Sequence, residues 1–482
     1  MQPKLKFRPV ELTTTELYAI LAPITLPPSS ARSKFSNWGR TFRCRPLAVF
    51  EPVNDIQVTH IIELARREET TVRAAGAGHS PSDLACTSGF MIRTNRLDKL
   101  ISVDSEKGIV VIQGGMSLHT LHRHLLDHGL AMSNVGSISD QSVAGIVTTA
   151  THGSGISFPV ISNHVLALEM IMEDGSTLRC SRDIYPDIFL ATLCGLGATG
   201  FITSVTLQVE PAFRLKEKTV GVSFDTMLER FAEFARSAEH VRMWWFVHPK
   251  KVVLSQSNRT YEPAKPKASW FWDVLIGSHV LQFLLFVGIF VPRVNSWTSR
   301  FFAWLGSTLV ERVDDSFAVF NVDCHFPQYT TEWAVPLEEA TACLKELNEE
   351  IAEEIAKRNG FQPHFPIEIR FTDADDIWLS PSYGRKTCYI GVTQYKPYGL
   401  TPPYRRVFKI FEGVVTRHGG RSHWAKTHTL KPATLRQLYP RFDDFATLLN
   451  RVDPNGMFRN EYVRRHIFGD DTVEDRVFKP LV

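Results

Sequence analysis

The stretch Thr71-Val-Arg-Ala-Ala75-Gly76-Ala77-Gly78-His79-Ser80-Pro81-Ser82 decides how this chain is read. Thr71–Ala75 is strand-like and runs straight into successive small residues. Such a loop lets backbone N–H groups approach phosphate oxygens closely, a nest for anions. Upstream, Ala48–Pro52 predicts a strand. Asn54 follows as an N-cap, with Val58, Ile61, Ile62 and Ala65 at helical spacing and Arg66–Arg67 in the last turn. Downstream, Leu100–Val103 and Ile109–Gln113 predict two strands around a Ser105–Gly108 turn. Ser117 caps a helix with Leu118, Leu121 and Leu125 on one face, ended by Gly129. With the strand Phe201–Val209, the first 210 or so residues predict one mixed α+β unit rather than a long doubly wound sheet.

A second loop, Gly136-Ser-Ile-Ser139-Asp-Gln-Ser142-Val-Ala-Gly145, leads on to Thr151-His152-Gly153-Ser154-Gly155 and is again dense in glycine and hydroxyls. Two such loops can grip a pyrophosphate from both sides, although either alone reads equally well as a tight turn. Gly195-Leu-Gly197-Ala-Thr-Gly200 matches a dinucleotide fingerprint letter for letter. That fingerprint needs a strand before it and a helix after it. Here Pro186–Leu193 predicts a helix and Phe201–Val209 a strand, so a helix-to-strand turn is the better account. His119, His122, His124 and His128 lie on the Ser117 helix away from its leucines. No third ligand type is near, and solvated surface histidines are expected, with no metal site.

Composition narrows the classes. Across 482 residues, 54 Lys+Arg face 51 Asp+Glu, and no basic block stands out, which argues against nucleic-acid binding. Aromatic residues, 11% and spread throughout, exclude long disorder. The seven cysteines are scattered without a C-x-x-C pair, so thiols in an intracellular setting are expected and not a disulfide framework. The N-terminus lacks the apolar core and cleavage site of a secretory signal. An intracellular, non-secreted protein is therefore expected.

Residues 213–262 alternate strands with an amphipathic helix, and the apolar stretch Trp270–Val291 follows, stopped by Pro292. Its length approaches a membrane span, but Asp273, Ser278, His279 and Gln282 interrupt it. An interfacial or docking helix and a buried core helix both fit the pattern. Pro336–Arg358 predicts a long charged helix, and Ile367–Phe371 and Tyr389–Gln394 predict strands. In the first of these, Glu368 and Arg370 share a face at period two while Ile367 and Ile369 face the core. Alternation puts both polar groups into the same cleft; a plain surface salt bridge is the other account.

GAGHSPSD, SNVGSISDQSVAG and TATHGSG, in this order, resemble the FAD-binding domain of the vanillyl-alcohol oxidase-type flavoproteins. Asn37-Trp38 ahead of them and His423-Trp424-Ala425-Lys426 far behind narrow the resemblance to the aldonolactone oxidases, over nearly the whole chain from about residue 35. The resemblance implies a two-domain α+β fold of the vanillyl-alcohol oxidase kind. In it, an FAD-binding PCMH-type domain (1–212) is joined to a substrate or cap domain (213–437), and a C-terminal segment (438–482) returns to the FAD domain. It implies FAD tethered covalently through His79 and held by Gly76, Ala77, Gly78, Ser80, Gly136, Ser139, Ser142, Gly145, Thr151, His152, Gly153 and Ile202. Glu368, Arg370 and Lys426 become the catalytic residues, with His423 beside Lys426. The expected reaction is hydride transfer from C2 of a sugar 1,4-lactone, D-arabinono-1,4-lactone first, to the flavin. An ascorbate-type product and hydrogen peroxide result.

Gly136 matches a position where alanine blocks oxygen in plant relatives, so O2 is the expected acceptor. Trp270–Val291 is similar to the membrane-associating segment of gulonolactone oxidases. Peripheral or partial attachment to a mitochondrial or endoplasmic reticulum membrane is expected, with no obligate protein partner. An alditol oxidase of the same fold, a dehydrogenase feeding a cytochrome, and a membrane-docked flavin-binding module are the rival readings. Gly136 weighs against the dehydrogenase. Glu368, Arg370 and Lys426, all present, weigh against the module.

Overall fold

The computed structural model describes residues 11–265, 276–308, 310–321, 326–357, 362–364, 366–470 and 472. Residues 270–275 of the apolar stretch, Cys324 and the end of the expected 336–358 helix lie outside them.

Three sheets organise the chain. Strands Ala48–Phe50, Phe90–Arg93 and Val72–Ala75 form a small parallel sheet with Phe90–Arg93 in the middle. The helix Asp55–Arg67 makes the crossover; Asn54 caps it by accepting from Gln57 N–H at 3.0 Å, and Val58, Ile61, Ile62 and Ala65 are buried. Beside it stands a five-stranded antiparallel sheet in the order Thr177–Ser181, Val165–Ile171, Phe201–Gln208, Ile109–Gln113, Leu100–Asp104. The helix Leu118–Asp127, capped by Ser117, buries Leu118, Leu121 and Leu125 as expected. One of its histidines departs from expectation. His122 is buried and stacks on Phe317 at 4.8 Å, because the face next to the leucines is covered by a segment from far along the chain.

The third sheet has eight antiparallel strands, in the order Val310–Asp315, Arg214–Ser223, Lys251–Thr260, His240–Phe246, Ile367–Thr372, Thr387–Tyr395, Gln328–Pro336, Arg421–Ser422. Alternation gives it two unlike faces. Ile367, Ile369, Phe371, Met243, Trp245, Trp333 and Ile390 form the core face, in one cluster with the helices Ala340–Ala356 and Arg405–Arg417. The opposite face carries Arg242, Trp244, Glu368, Arg370, Tyr389 and Glu332, brought level by the pairings Arg242↔Arg370, Trp244↔Glu368, Arg370↔Tyr389 and Glu332↔Gly391.

The long helix starts later than the sequence suggests. Pro336 ends a strand, and regular α-helix begins at Ala340 after one tight 3-10 turn. The strands Val310–Asp315 and Gln328–Pro336 give no clear sequence signal. The apolar stretch ends in the helix Leu281–Phe290, and a second helix, Arg293–Gly306, starts directly after Pro292. Among the described residues no helix is long and apolar enough to cross a membrane.

Candidate active site

The Gly76–Ser80 loop lines an elongated cleft between the two smaller sheets. Gly76, Ala77, Gly78, His79, Ser80, Ser142, Gly145 and Ile202 all face it, together with Thr94, Ala144, Thr149, Gly197, Gly200 and Ala425. The loop is narrow by construction. A Cβ on Gly76 would stand 2.3 Å from Ser142 Oγ, so the two loops can close this far only with glycine there. Asn37 braces the same loop: its buried amide donates to Ser80 O at 3.0 Å and its oxygen accepts from Thr41 N–H at 2.8 Å. Trp38 donates its N–H to Gly78 O and lays its ring on His79, centroids 5.3 Å apart and nearly parallel.

His79 points into this setting with its Nδ1 buried and without a hydrogen-bond partner among the described residues. Burial is the main cause that lowers its pKa, opposed by Asp140, so the imidazole is neutral at physiological pH. A neutral imidazole with an unpartnered nitrogen has a lone pair able to act as a nucleophile.

The other five cofactor residues expected from the sequence do not line the cleft. Ser139 Oγ donates to Asn321 Oδ1 at 2.7 Å, joining its loop to the far end of the large sheet. Thr151 Oγ1 lies 3.3 Å from Thr149 Oγ1. Gly136 is against Thr151, and Gly153 against Asn134, where a Cβ would come within 2.0 Å of the amide oxygen. His152 has gone over to the sheet, stacked on Tyr389 at 3.5 Å.

There the decisive charge is one that the sequence reading missed. Glu332, buried in the strand Gln328–Pro336, pairs with Arg370 Nη2 through Oε1 and stands 3.7 Å from Lys426 Nζ through Oε2. His152 Nε2 lies 3.4 Å from Oε1. The His423 N–H donates to the Glu332 carbonyl at 2.9 Å. Glu368 joins from the other side, 3.5 Å from Arg370 Nε. The E-x-R pair is thus no surface bridge: Arg370 is buried, and its charge is shared between two carboxylates. Burial opposes the guanidinium charge, but Glu368 and Glu332 outweigh it and hold the Arg370 pKa above its ordinary value. Burial likewise opposes the Glu332 charge, yet Arg370, Lys426 and His152 hold its carboxyl well below the usual range. Burial keeps His152 and His423 neutral.

His152, Glu332 and His423 bring three donor atoms within 4.8 Å of one another, a grouping that could hold a metal. A divalent cation there would meet Arg370 and Lys426, and the carboxylate is already neutralised. The donor set serves the ion-pair array instead. Glu332 could have been suspected from sequence as the one acidic residue in an otherwise uncharged strand, Gln-Tyr-Thr-Thr-Glu-Trp-Ala-Val.

Lys426 joins the array to the cleft. Its neighbour Ala425 lines the cleft and accepts from Ser82 Oγ at 2.9 Å, and the Lys426 charge reaches His79. On the outer side of Glu368, the same sheet face continues into a chamber of about 490 Å³ lined by Arg242, Trp244, Phe246 and Phe302, under the helix Arg293–Gly306. The glycine-walled cleft that holds His79 is thus linked to the charged sheet face through Ala425 and Lys426.

Comparison with known proteins accounts for this arrangement. The profile described as D-arabinono-1,4-lactone oxidase matches residues 205–466, and one described as FAD binding domain matches residues 46–181. The chain belongs to the D-arabinono-1,4-lactone oxidase family. L-gulonolactone oxidase of Scyliorhinus torazame is 37% identical over 90% of this chain and 98% of its own. The D-arabinono-1,4-lactone oxidase of Eremothecium gossypii is 30% identical over 83% and 84%. Among solved structures, a solvent-stable cholesterol oxidase superposes with a TM-score of 0.75 at 18% identity, covering 89% of this chain and 96% of its own. A chitooligosaccharide oxidase follows at 0.68 and 13%, covering 94% and 99%. These likenesses show the vanillyl-alcohol oxidase-like fold.

As a member of the family the chain is an FAD-dependent oxidoreductase, and its residues fit that cofactor. The Gly76 approach leaves room for a pyrophosphate, Gly197 (φ +67°) packs bare backbone against the Arg73 guanidinium in the cleft lining, and His79 Nδ1 has no partner among the described residues. The Gly195–Gly200 turn does connect a helix to a strand. Gly197 and Gly200 nevertheless line the cleft, so this turn borders it although it is no dinucleotide fingerprint.

Proposed function

We propose that the protein oxidises a sugar 1,4-lactone at C2 on the face of the large sheet, with O2 as final acceptor, and that His79 carries the FAD covalently. The buried array Glu332–Arg370–Lys426, with Glu368 at its open edge, carries this reading. Bound FAD supplies the acceptor for the hydride that leaves C2 and passes the electrons on to oxygen.

The protein's own groups handle the polar half of the reaction. Arg370 and Lys426 are donors only, suited to the lactone carbonyl and ring oxygens, where charge builds as C2 is oxidised. Glu368 is the less buried carboxylate and takes the 2-hydroxyl as acceptor, which makes it the base for that proton. Glu332, held ionised by two cations, fixes the orientation of both. Trp244, level with Glu368, closes the site on its apolar side. D-Arabinono-1,4-lactone and L-gulono-1,4-lactone are the substrates to compare first, since relatives named for each cover most of this chain.

The helices Leu281–Phe290 and Arg293–Gly306 support peripheral membrane association. The second is inverted: Asn295, Thr298, Ser299 and Ala303 are buried, whereas Trp297, Phe301 and Trp304 are exposed, Trp297 at 71%. Phe290, Val291 and Tyr398 extend the patch. Aromatics flanked by exposed Arg293 and Arg300 suit a headgroup boundary. A mitochondrial or endoplasmic reticulum surface is the proposed setting.

The test is anaerobic mixing of the flavin-loaded protein with each lactone and with a matched open-chain alditol, followed in the visible flavin band. Bleaching by a lactone and not by the alditol supports the proposal. Bleaching by the alditol alone would move the protein to the alditol oxidases.

A further inference from the structure

We propose that Cys44 and Cys86 form a peroxide-responsive dithiol, in which hydrogen peroxide converts the pair to a disulfide that ties the Asn37–Trp38 hairpin to the end of the His79 loop. Neither residue belongs to the flavin cleft or the ion-pair array. Cys44 ends the short hairpin Phe35–Ser36/Arg43–Cys44, and Cys86 closes the loop that begins at Gly76. The two side chains pack in one small cluster with Phe35, Phe42, Ala75 and Met91, and the N–H of Thr87, next to Cys86 in sequence, reaches Cys44 Sγ. The backbone holds Cys86 in place: its N–H donates to Asp83 O, and its carbonyl accepts from Asn460 Nδ2, each at 2.8 Å.

The two sulfurs are unequal. Cys44 is half-buried, accepts the Thr87 N–H at 3.4 Å and lies near enough to Arg93 for their charges to interact. The hydrogen bond with Cys44, and then burial, push the Cys86 thiol up. The part of that rise due to Cys44 disappears once Cys44 is oxidised.

Both residues line a surface cavity shared with Arg45, Ser88, Glu461 and Arg464, so peroxide reaches them without crossing the core. Cys343 and Cys388 also neighbour one another but are fully buried, and serve as an internal control.

The chemistry balances. The Cys44 thiolate attacks one peroxide oxygen, the O–O bond breaks, and the released hydroxide takes a proton to leave as water, giving a sulfenic acid. The Cys86 sulfur then attacks the Cys44 sulfur; the S–S bond forms, the S–O bond breaks and a second water leaves. Two thiols lose two electrons and two protons, and peroxide becomes two waters. Only the origin of peroxide within the protein's own turnover rests on the proposed oxidase activity.

The experiment uses the reduced, flavin-loaded protein, treated with hydrogen peroxide, alkylated under denaturing conditions and mapped by mass spectrometry. The expected result is loss of two of the seven alkylatable cysteines, and one linked peptide pair containing residues 44 and 86. Cys86→Ser should leave a sulfenic acid at Cys44 that dimedone traps, and Cys44→Ser should give neither product. Retention of both cysteines, or a link involving Cys343 or Cys388 instead, would overturn the proposal. In a second arm, lactone and oxygen replace added peroxide, with catalase as control. Linking by added peroxide but not by turnover sustains the dithiol and counts against the oxidase reading.

Discussion

Glu332 and Arg370 stand two strands apart on one sheet face and share a buried ion pair, with Lys426 closing on the same carboxylate from a third segment. Removing one partner of such a pair leaves the other charged in a desolvated place. Glu332→Gln should therefore lose stability of about 3–5 kcal/mol. Turnover at saturating lactone should fall at least roughly tenfold, about 1.4 kcal/mol of barrier. Denaturant titration and flavin-reduction kinetics measure the two losses separately, and an unchanged reduction rate would remove Glu332 from the site.

His79→Ala tests the tether. Trp38 and Asn37 hold the loop independently of the imidazole, so the variant should fold and still take up FAD. Acid precipitation should then release all the flavin into the supernatant, whereas the parent protein keeps it in the pellet. Equal release from both would mean that His79 only lines the cleft.

Gly136→Ala addresses oxygen. An added Cβ would meet Thr151 Cγ2 at 3.2 Å and His152 O at 3.4 Å, so the methyl fits after a shift of a few tenths of an ångström. Anaerobic reduction by lactone should be preserved, while reoxidation by O2 slows roughly tenfold or more, about 1.4 kcal/mol. Stopped-flow mixing of the reduced protein with oxygen decides it.

Asp375 supplies a pH signature of stability. Burial pushes its carboxyl up to about 7, against hydrogen bonds from Ser380 Oγ and Ile377 N–H. The contribution of the neutral acid is complete below the unfolded pKa of about 3.9 and is lost as pH rises through 7. Asp375→Asn escapes that loss. Its stability relative to the parent should rise from pH 5 to pH 7, by at most about 1.4 kcal/mol per unit, and level off by pH 8. Thermal melts across that range would show it; a constant difference would refute it.

Trp297 and Trp304 face outward from the inverted helix. Replacing both with serine should leave lactone oxidation in detergent-free buffer intact and weaken binding to anionic vesicles, read by co-sedimentation, roughly a hundredfold or more, given about 1.5–3 kcal/mol per large apolar side chain buried. Unaltered sedimentation would assign the patch another role.

Much of this was legible in the residues themselves, through local signals. The Asn54 and Ser117 caps, the period-two placing of Glu368 and Arg370, and the Gly76–Ser80 loop all lie where the sequence puts them. What escaped depends on contacts between distant segments. Glu332 carries no motif, and it matters only because Thr387–Tyr395 sets it beside Arg370. His122 looks solvated until Phe317 covers it, and Gly197 looks like a turn until the cleft wall forms around it.

Residues 457–465 underpin the cofactor loops from the far end of the chain. Met457 O accepts from Val72 N–H, Asn460 holds Leu84 and Cys86, Tyr462 donates to Trp424 O, and Arg465 pairs with Asp83. A ribosome therefore delivers the floor of the flavin cleft nearly four hundred residues after its rim. During that interval the rim is an unfinished pocket with exposed apolar walls, a state in which large chains aggregate. On the proposed attachment, flavin capture by His79 is a post-translational event, and a nascent chain halted before Met457 should bind no flavin at all.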